Sequence, residues 1–299
     1  MVIRILIALL VMTGATSAQP APAKITIGIY APTVEFGTAQ ARLAYVQGLA
    51  KAIEQNTGIK AEAQSYASIA ALKKDNVDFA IVDGVCYATN LSWKLLANAN
   101  IGGSTSRTWS LYSNAGDSMQ ALKGKKLAFV AAGCNDNGFI DNAMLESEVD
   151  SSFFSARQGE KDLTAAVASV SSYKTAQAVF APAGAAKGLN KLFDTANVPN
   201  PAFVEVGAKL PAGTSEKVAA AVIAYGGSGA ISSWTKPSRE AYQGLAGRLS
   251  PVKKAGVFAS PEAARLDSKD VLIDPVSLKD PAYVAVRHHF LRTPGARMD

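Results

Sequence analysis

Residues 122–139 read Leu122-Lys-Gly-Lys-Lys-Leu-Ala-Phe-Val-Ala-Ala-Gly-Cys-Asn-Asp-Asn-Gly-Phe139. A Lys/Gly turn leads into an apolar run, residues 127–131, which is typical of a buried β-strand. A polar loop follows Gly133 and precedes a helix that we predict over 139–148. Backbone N–H groups are unpaired at the start of a helix, so such a junction is suited to bind the polar end of a ligand. Alternatively, Asn135 and Asp136 only cap the helix.

The segments before and after this stretch alternate between strand and helix patterns. We predict strands at 24–30, 60–64, 77–82 and 177–180, and helices at 39–56, 68–74, 163–170, 214–225 and 238–249, with another helix from the loop 83–87 to about Leu96. An extended segment, residues 102–114, separates the two halves. Strands that alternate with helices through short loops predict an α/β fold with mostly parallel sheets flanked by helices.

The N-terminus predicts export. Residues 1–18 combine one positive charge, a short apolar run and small residues ending at Ala18, as in a cleaved signal peptide, and residues 19–23 read as a leader. There is no cysteine at the cleavage point, and no later apolar run is long enough for a transmembrane helix. We therefore expect a periplasmic location.

Composition and charge restrict the partners. Apolar residues make up 48% of the 299 residues and charged residues 18%, which is typical of a folded globular protein. The formal net charge of +6 is spread over short pairs such as Lys73-Lys74 and Lys125-Lys126. Without a basic run or interleaved aromatic residues, we predict no nucleic-acid partner.

The sequence contains few signs of catalysis. Its two histidines, His288 and His289, are adjacent and near the C-terminus, and the sequence has no nucleophile elbow, phosphate loop or zinc signature. A hydrolase that uses Asp83 and Asp136 as paired carboxylates is the alternative. We predict a binding protein and not an enzyme, with no metal and no cofactor.

Three features together carry a resemblance to a known family. The first is the strand 25–30, ending in Tyr-Ala-Pro before a long helix. The second is Tyr66 followed by Val77-Asp-Phe-Ala-Ile-Val-Asp-Gly-Val-Cys-Tyr87, and the third is residues 122–139. In this order they resemble the phosphate/phosphonate branch of the periplasmic solute-binding proteins of ABC transporters, in the two-lobed type II class.

The resemblance implies two lobes joined by crossing strands, with a ligand-binding cleft that closes by a hinge motion. Residues 24–108 together with 207–299 would form the first lobe, and residues 109–206 the second. The implied partners are a small-molecule or lipid ligand and a membrane permease complex, and we expect a monomer.

Loops at the carboxyl ends of parallel strands bind ligands in open α/β sheets. From such loops we predict the ligand contacts Tyr30, Tyr66, Asp83, Cys86, Tyr87, Trp109, Cys134, Asn135, Asp136 and Asn137. The aromatic rings and Asp83 suggest an enclosure that binds ammonium groups or flat apolar ligands. Alternatively, Asp83 caps the following helix and the tyrosines are packing residues.

The loop 134–137 departs from the family pattern. In the family's phosphonate binders, hydroxyl groups and backbone amides of this loop hold the phosphonate oxygens, whereas here Asp136 places a carboxylate there. Two negative charges about 4 Å apart repel by roughly 4 kcal/mol at an effective dielectric near 20. We therefore expect a cationic, zwitterionic or neutral polar ligand, or a mostly apolar one with a hydroxyl or carboxylic acid head.

Cys86 and Cys134 are the two cysteines. Export permits a disulfide, which would join the two lobes and restrict the hinge. Two unpaired thiols, or a soft metal site shared with Asp83 or Asp136, are the alternatives.

We predict an extracytoplasmic solute-binding protein that delivers its ligand to a membrane transporter. Two alternatives stay open, a periplasmic carrier of a sterol-like lipid and a ligand-sensing subunit for a membrane receptor. Fold analogy does not distinguish them.

Overall fold

The strands in the described part of the chain form two separate sheets. A computed structural model describes residues 24–207, 210–227 and 229–251. The predicted signal peptide (1–18), the leader (19–23) and the segment 252–299 with its two histidines lie outside the described residues. The strands are β1 (Ile25–Tyr30), β2 (Ala61–Ser65), β3 (Phe79–Val82), β4 (Lys94–Asn100), β5 (Ser106–Ser113), β6 (Lys126–Val130), β7 (Ala156–Glu160), β8 (Ala178–Pro182), β9 (Asn190–Pro199), β10 (Ala202–Glu205) and β11 (Ser233–Thr235).

The helices are mostly short. They are α1 (Ala39–Thr57), α2 (Ile69–Lys74), α3 (Gly84–Ala88), α4 (Asp136–Gly138), α5 (Leu163–Ser171), α6 (Thr214–Ala224) and α7 (Glu240–Leu249), with a 3-10 turn at Gln120–Leu122 and a π-helix at Phe139–Met144. The N-cap of α1 is Thr38, whose side chain accepts a hydrogen bond from the Ala41 N–H. Its C-cap is Gly58, whose φ of 71° is a left-handed conformation that favours glycine. None of the described helices is both long and apolar enough to cross a membrane.

The first sheet has the order β11-β4-β10-β3-β1-β2. β1 pairs in parallel with β2 and β3, while β10 is antiparallel to both β3 and β4. The central strand β3 is completely buried. This sheet, with α1, α2, α3 and α6, is the first lobe.

The second sheet has the order β7-β6-β8-β5-β9. β6 is parallel to β7 and β8, and β5 runs antiparallel to β8 and β9. The predicted α/β two-lobed fold is confirmed, but both sheets are mixed and not mostly parallel, because β10 and β5 each run antiparallel to both of their neighbours. This sheet, with the π-helix and α5, is the second lobe.

The chain passes between the lobes at two places among the described residues, from β4 to β5 and from β9 to β10. The two connections contact each other, because the Asn200 N–H donates to the Thr105 carbonyl at 2.8 Å and its side-chain amide donates to the Ser104 carbonyl at 2.8 Å. The first connection, residues 101–105, thus falls at the start of the predicted extended segment 102–114, and most of that segment is β5. The chain returns to the first lobe at Asn200–Pro201, a few residues before the predicted lobe boundary at 206.

Several local predictions were wrong. The segment 89–96 is not helical, because α3 ends at Ala88 and β4 begins at Lys94. The helix predicted over 139–148 is a π-helix that ends at Met144. Thr214 or Ser215 was expected to cap α6, but its N-cap is Gly213, which has no side chain, and the Ser215 hydroxyl donates to Glu205 at 2.7 Å. Strands β7, β9, β10 and β11 were not predicted.

One apolar core extends through both lobes. It includes Val85 of the first lobe, Leu127 and Ile140 of the second, and Leu245 of α7. α7 packs against α3 in one lobe and against the π-helix and β9 in the other. The lobes therefore share buried surface as well as chain connections.

Candidate functional site

A small cavity lies between the lobes, near the carboxyl ends of β1, β3, β6 and β8. The first lobe contributes Thr33 and Val85 to its lining. The second lobe contributes Trp109, Phe129, Val130, Ala132, Asp136, Phe139, Ile140 and Phe180. Its volume of about 10 Å³ is room for about one water molecule. The cleft is therefore closed in this structure.

Cys86 and Cys134 form a disulfide, with an S–S distance of 1.98 Å and a Cα–Cα distance of 4.9 Å. The bond joins α3 of the first lobe to the loop after β6 of the second. It excludes the alternatives of two unpaired thiols and of a metal held by cysteine thiolates. In the described part of the chain, no group of three His, Cys, Asp or Glu side chains could hold a metal ion.

Asp83 is buried and its carboxylate is occupied by protein donors. Oδ1 accepts from the Val85 N–H at 3.1 Å, and Oδ2 accepts from the Thr33 N–H at 3.1 Å and from the Thr33 hydroxyl. Burial raises the pKa of this carboxyl group, and these hydrogen bonds oppose that shift. Asp83 thus caps α3 and holds the loop after β1, while a ligand contact for it stays a prediction.

Asp136 lies in the cavity wall. Its oxygens accept from the backbone N–H groups of Gly133 at 3.1 Å and Cys134 at 3.4 Å. The preceding Asn135 adopts a left-handed conformation with a φ of 62°, which asparagine tolerates, and its Oδ1 accepts from the Gly138 N–H at 3.2 Å. The loop is therefore held by its own side chains, with the Asp136 carboxylate at the cavity.

Two of the predicted aromatic residues lie at the contact between the lobes. The Tyr30 hydroxyl donates to the Ala132 carbonyl at 3.0 Å. Burial, and then the carboxylates of Asp83 and Asp136, raise the pKa of Tyr30 well above its usual range. Trp109 packs its ring edge against Phe139, with centroids 5.4 Å apart, and lines the cavity.

The predicted enclosure of three tyrosines around an acid does not form. Tyr66 packs over Gly28 and lines a groove at the edge of the first sheet, and burial raises its pKa to about 12. Tyr87 packs against Tyr242 with centroids 4.8 Å apart. Neither ring lines the cavity, because each packs against its own lobe or against α7. Asn137 is exposed.

Sequence reasoning missed most of the apolar lining. The strand ends 30–33 and 180–182 indicate Thr33 and Phe180 as cleft lining, although neither was among the predicted contacts. Val85 lies in the loop 83–87, from which other contacts were predicted, whereas Phe129, Phe139 and Ile140 gave no signal beyond their apolar character. They belong to the site because the two lobes approach each other there.

A second, more open cavity of about 200 Å³ runs along the contact between the lobes, and we call it the seam groove. The first lobe contributes the loop 31–39 and Arg42, and the second contributes Lys161, Asp162 and Thr164. The Leu163 N–H donates to the Pro32 carbonyl at 2.9 Å across the contact. The groove has a mixed lining that includes three charged side chains, whereas the lining of the inner cavity is mostly apolar.

A larger cavity of about 340 Å³ lies on the second lobe alone. Met119, Met144 and Phe193 contribute apolar surface, and Glu146 and Glu148 contribute charge. It is not at the carboxyl ends of the parallel strands, where open α/β sheets bind ligands. We therefore take the inter-lobe cavity as the candidate site despite its smaller volume.

No protein-family model matches this sequence, and no curated protein matches it. Several solved structures are similar to the structure of this chain. A binding protein component of an ABC phosphonate transporter from Pseudomonas aeruginosa superposes with a TM-score of 0.59 at 15% identity, over 89% of this chain and 98% of that chain.

Two further structures are similar. PhnD1 from Prochlorococcus marinus in complex with methylphosphonate gives a TM-score of 0.58 at 12% identity, over 75% of this chain and 96% of that one. The protein XAC2383 from Xanthomonas citri bound to ATP gives a TM-score of 0.57 at 10% identity, over 76% of this chain and 97% of that one. At these identities the likeness shows a shared fold.

Proposed function

We propose that this chain, which has the fold of the phosphonate-binding components of ABC transporters, is an extracytoplasmic solute-binding protein. It would take its ligand between the lobes and deliver it to a membrane permease complex. The position of the inter-lobe cavity at the carboxyl ends of parallel strands supports this role. A periplasmic location and a monomeric state belong to the same proposal.

The cavity lining suggests the class of ligand. Apart from Thr33 and Asp136, every lining residue is apolar. The Thr33 hydroxyl already donates to Asp83, which leaves the Asp136 carboxylate as the charged acceptor in the wall. We propose a mostly apolar ligand with one hydrogen-bond donor, a hydroxyl or an ammonium group. The carboxylate among apolar walls is the observation that carries this proposal.

The same carboxylate argues against an anionic ligand. A phosphonate oxygen about 4 Å from it would meet roughly 4 kcal/mol of repulsion at an effective dielectric near 20. The neighbours that contain methylphosphonate or ATP therefore supply the fold and not the ligand. Among the described residues, the ligand contacts proposed first are Thr33, Val85, Trp109, Asp136 and Phe139.

A ligand of this kind requires the lobes to separate. A cavity of about 10 Å³ has no space for an organic molecule, so binding must be coupled to a hinge motion about the two chain connections. A carrier of a larger, sterol-like lipid is the second candidate, and the apolar lining favours it. The two candidates differ in the size of the ligand and in its destination.

The test begins with native mass spectrometry of the protein purified from its own host, followed by extraction and identification of small molecules. A polar or amphipathic metabolite would support an importer, and a lipid would support the carrier. The binding of the identified compound is then measured by titration calorimetry for Asp136→Asn and for the control Asp117→Asn, an exposed aspartate in the same lobe.

We expect Asp136→Asn to weaken binding by about tenfold or more, because a charged hydrogen bond contributes roughly 1.5–3 kcal/mol. Asp117→Asn should bind like the wild type. Equal affinities for the two variants would overturn the assignment of Asp136, and a compound that binds without disturbing Trp109 fluorescence would overturn the cavity as the site.

A further inference from the structure

Within the described residues, the disulfide is a third covalent connection between the lobes. Cys86 belongs to α3 in the first lobe and Cys134 to the loop after β6 in the second, and both are buried. The two chain connections described above lie at Thr105 and Asn200. At Cys86 and Cys134 the lobes therefore cannot separate while the bond exists.

α7 reinforces the same part of the contact. Its Leu245 belongs to the apolar core shared by both lobes. At its C-terminal end the Leu249 carbonyl accepts from the side-chain amides of Asn135 at 3.2 Å and Asn142 at 3.0 Å. Separation of the lobes here would break these hydrogen bonds and expose apolar surface, in addition to straining the disulfide.

The seam groove is held by fewer contacts. Across it, the Leu163 N–H donates to the Pro32 carbonyl, and beside it the Arg107 guanidinium of the second lobe donates to the Thr33 carbonyl at 3.1 Å. Its walls carry Arg42, Lys161 and Asp162, and the shared apolar core does not include its residues. Parting the lobes at this position would therefore expose less of the shared apolar core than parting them at α7.

The inner cavity lies between these two contacts. Val85, in its wall, directly precedes the disulfide-bonded Cys86, and Thr33, also in its wall, directly follows Pro32. We infer that the Cys86–Cys134 bond is a fixed pivot, and that the lobes part at the Pro32–Leu163 contact, where the ligand enters the cavity. This inference rests on the proposed function in that the cavity is taken as the ligand site.

The helix geometry offers a precise way to remove the contact. Leu163 is the first residue of α5, a position at which proline is well tolerated. The preceding Asp162 is extended, with φ −158° and ψ 169°, which suits a residue before proline. Leu163→Pro therefore deletes the N–H that bonds Pro32. The matched control, Leu163→Ala, removes most of the buried side chain and keeps the N–H.

Acrylamide quenching of Trp109 fluorescence reports entry of a small solute into the cavity. Each protein is compared with the same protein carrying Trp109→Phe, so that the fluorescence of Trp93 and Trp234 can be subtracted. Measurements are made on the oxidised full chain and again after reduction by dithiothreitol, whose two thiols become a disulfide as Cys86 and Cys134 become thiols. Circular dichroism checks that every sample is folded.

In the oxidised protein we expect Leu163→Pro to raise quenching of Trp109 at least about twofold over Leu163→Ala, because one stabilising hydrogen bond of the closed state is lost. If the two variants are equal, or if quenching rises only on reduction, the entrance is not at the seam groove and the inference fails. Since no ligand is used, such a failure leaves the binding test of Asp136 independent.

Discussion

The Tyr30 hydroxyl of the first lobe donates a hydrogen bond to the Ala132 carbonyl of the second, at 3.0 Å. Tyr30 is the last residue of β1, and Ala132 follows β6, so the bond joins the ends of two strands that belong to different sheets. It lies beside the inter-lobe cavity, to which Ala132 contributes. The phenol must be neutral to donate.

Tyr30→Phe should lower the free energy of unfolding by about 1 kcal/mol, the typical net contribution of one hydrogen bond, or somewhat more if the carbonyl stays unpaired. Urea denaturation measures the change. Tyr173→Phe is the control, because the Tyr173 side chain is 73% exposed. A loss of the same size in both variants would contradict the role assigned to the Tyr30 bond.

Alkaline pH should destabilise the protein. Burial raises the pKa values of Tyr30, Tyr45 and Tyr242 well above the usual range. The folded state therefore keeps protons that the unfolded chain releases above about pH 10. The stabilisation from these neutral phenols is complete below about pH 10 and is lost as the pH rises further.

Melting temperatures between pH 8 and 11 measure this loss. Tyr30→Phe should show a shallower decline above pH 10 than the wild type, because one titrating group is gone. An unchanged slope would mean that Tyr30 ionises as readily in the folded state as in the unfolded state.

Gly84→Ala should cost at least about 2 kcal/mol of stability, because its Cβ would lie 1.9 Å from the Pro199 carbonyl oxygen and overpacking of this kind is poorly relieved. Gly244→Ala is a matched control in α7, where no atom lies within 4 Å of the new Cβ. It should stabilise by up to about 1 kcal/mol, since alanine favours helix more than glycine does. Thermal unfolding of both variants checks the pair, and a neutral Gly84→Ala would show that α3 can move away from the connection at Pro199.

Replacement of both cysteines by serine should lower the free energy of unfolding by about 4 kcal/mol in the chain-entropy model, given the separation of 48 residues. Reduction of the wild type by dithiothreitol should produce a loss of similar size. Guanidinium denaturation of the oxidised and reduced protein measures this loss of stability. The doubly substituted protein is the control, because dithiothreitol should not change its free energy of unfolding. A loss below about 1 kcal/mol would mean that the non-covalent contacts already hold the two loops together.

The strands with a clear apolar pattern could be predicted from the sequence, because β1, β3 and β6 are buried runs bounded by turn residues. β4 could not. Its Leu95, Leu96 and Ala97 favour helix as much as strand, and what makes them a strand is pairing with β10, which the chain reaches only after the second lobe.

The candidate site was predicted only in part, for a related reason. Strand ends indicated Asp136 and the loop around it, but Tyr66 and Tyr87 also lie near strand ends and their rings pack elsewhere. The disulfide stayed one of three alternatives because its formation depends on how closely two distant loops approach. Both outcomes are set by the packing of one lobe on the other, which no local pattern encodes.

The central position of β10 between β3 and β4 has a consequence for folding. The first sheet is left incomplete until the whole second lobe and residues 202–205 have been added to the chain. Until then β3 and β4 present unpaired edges, which are prone to join other chains. Such long-range pairing is slow. The N-terminal half of this protein should therefore depend on chaperones until its last strands arrive, and truncation before Ala202 should yield aggregates instead of an isolated lobe.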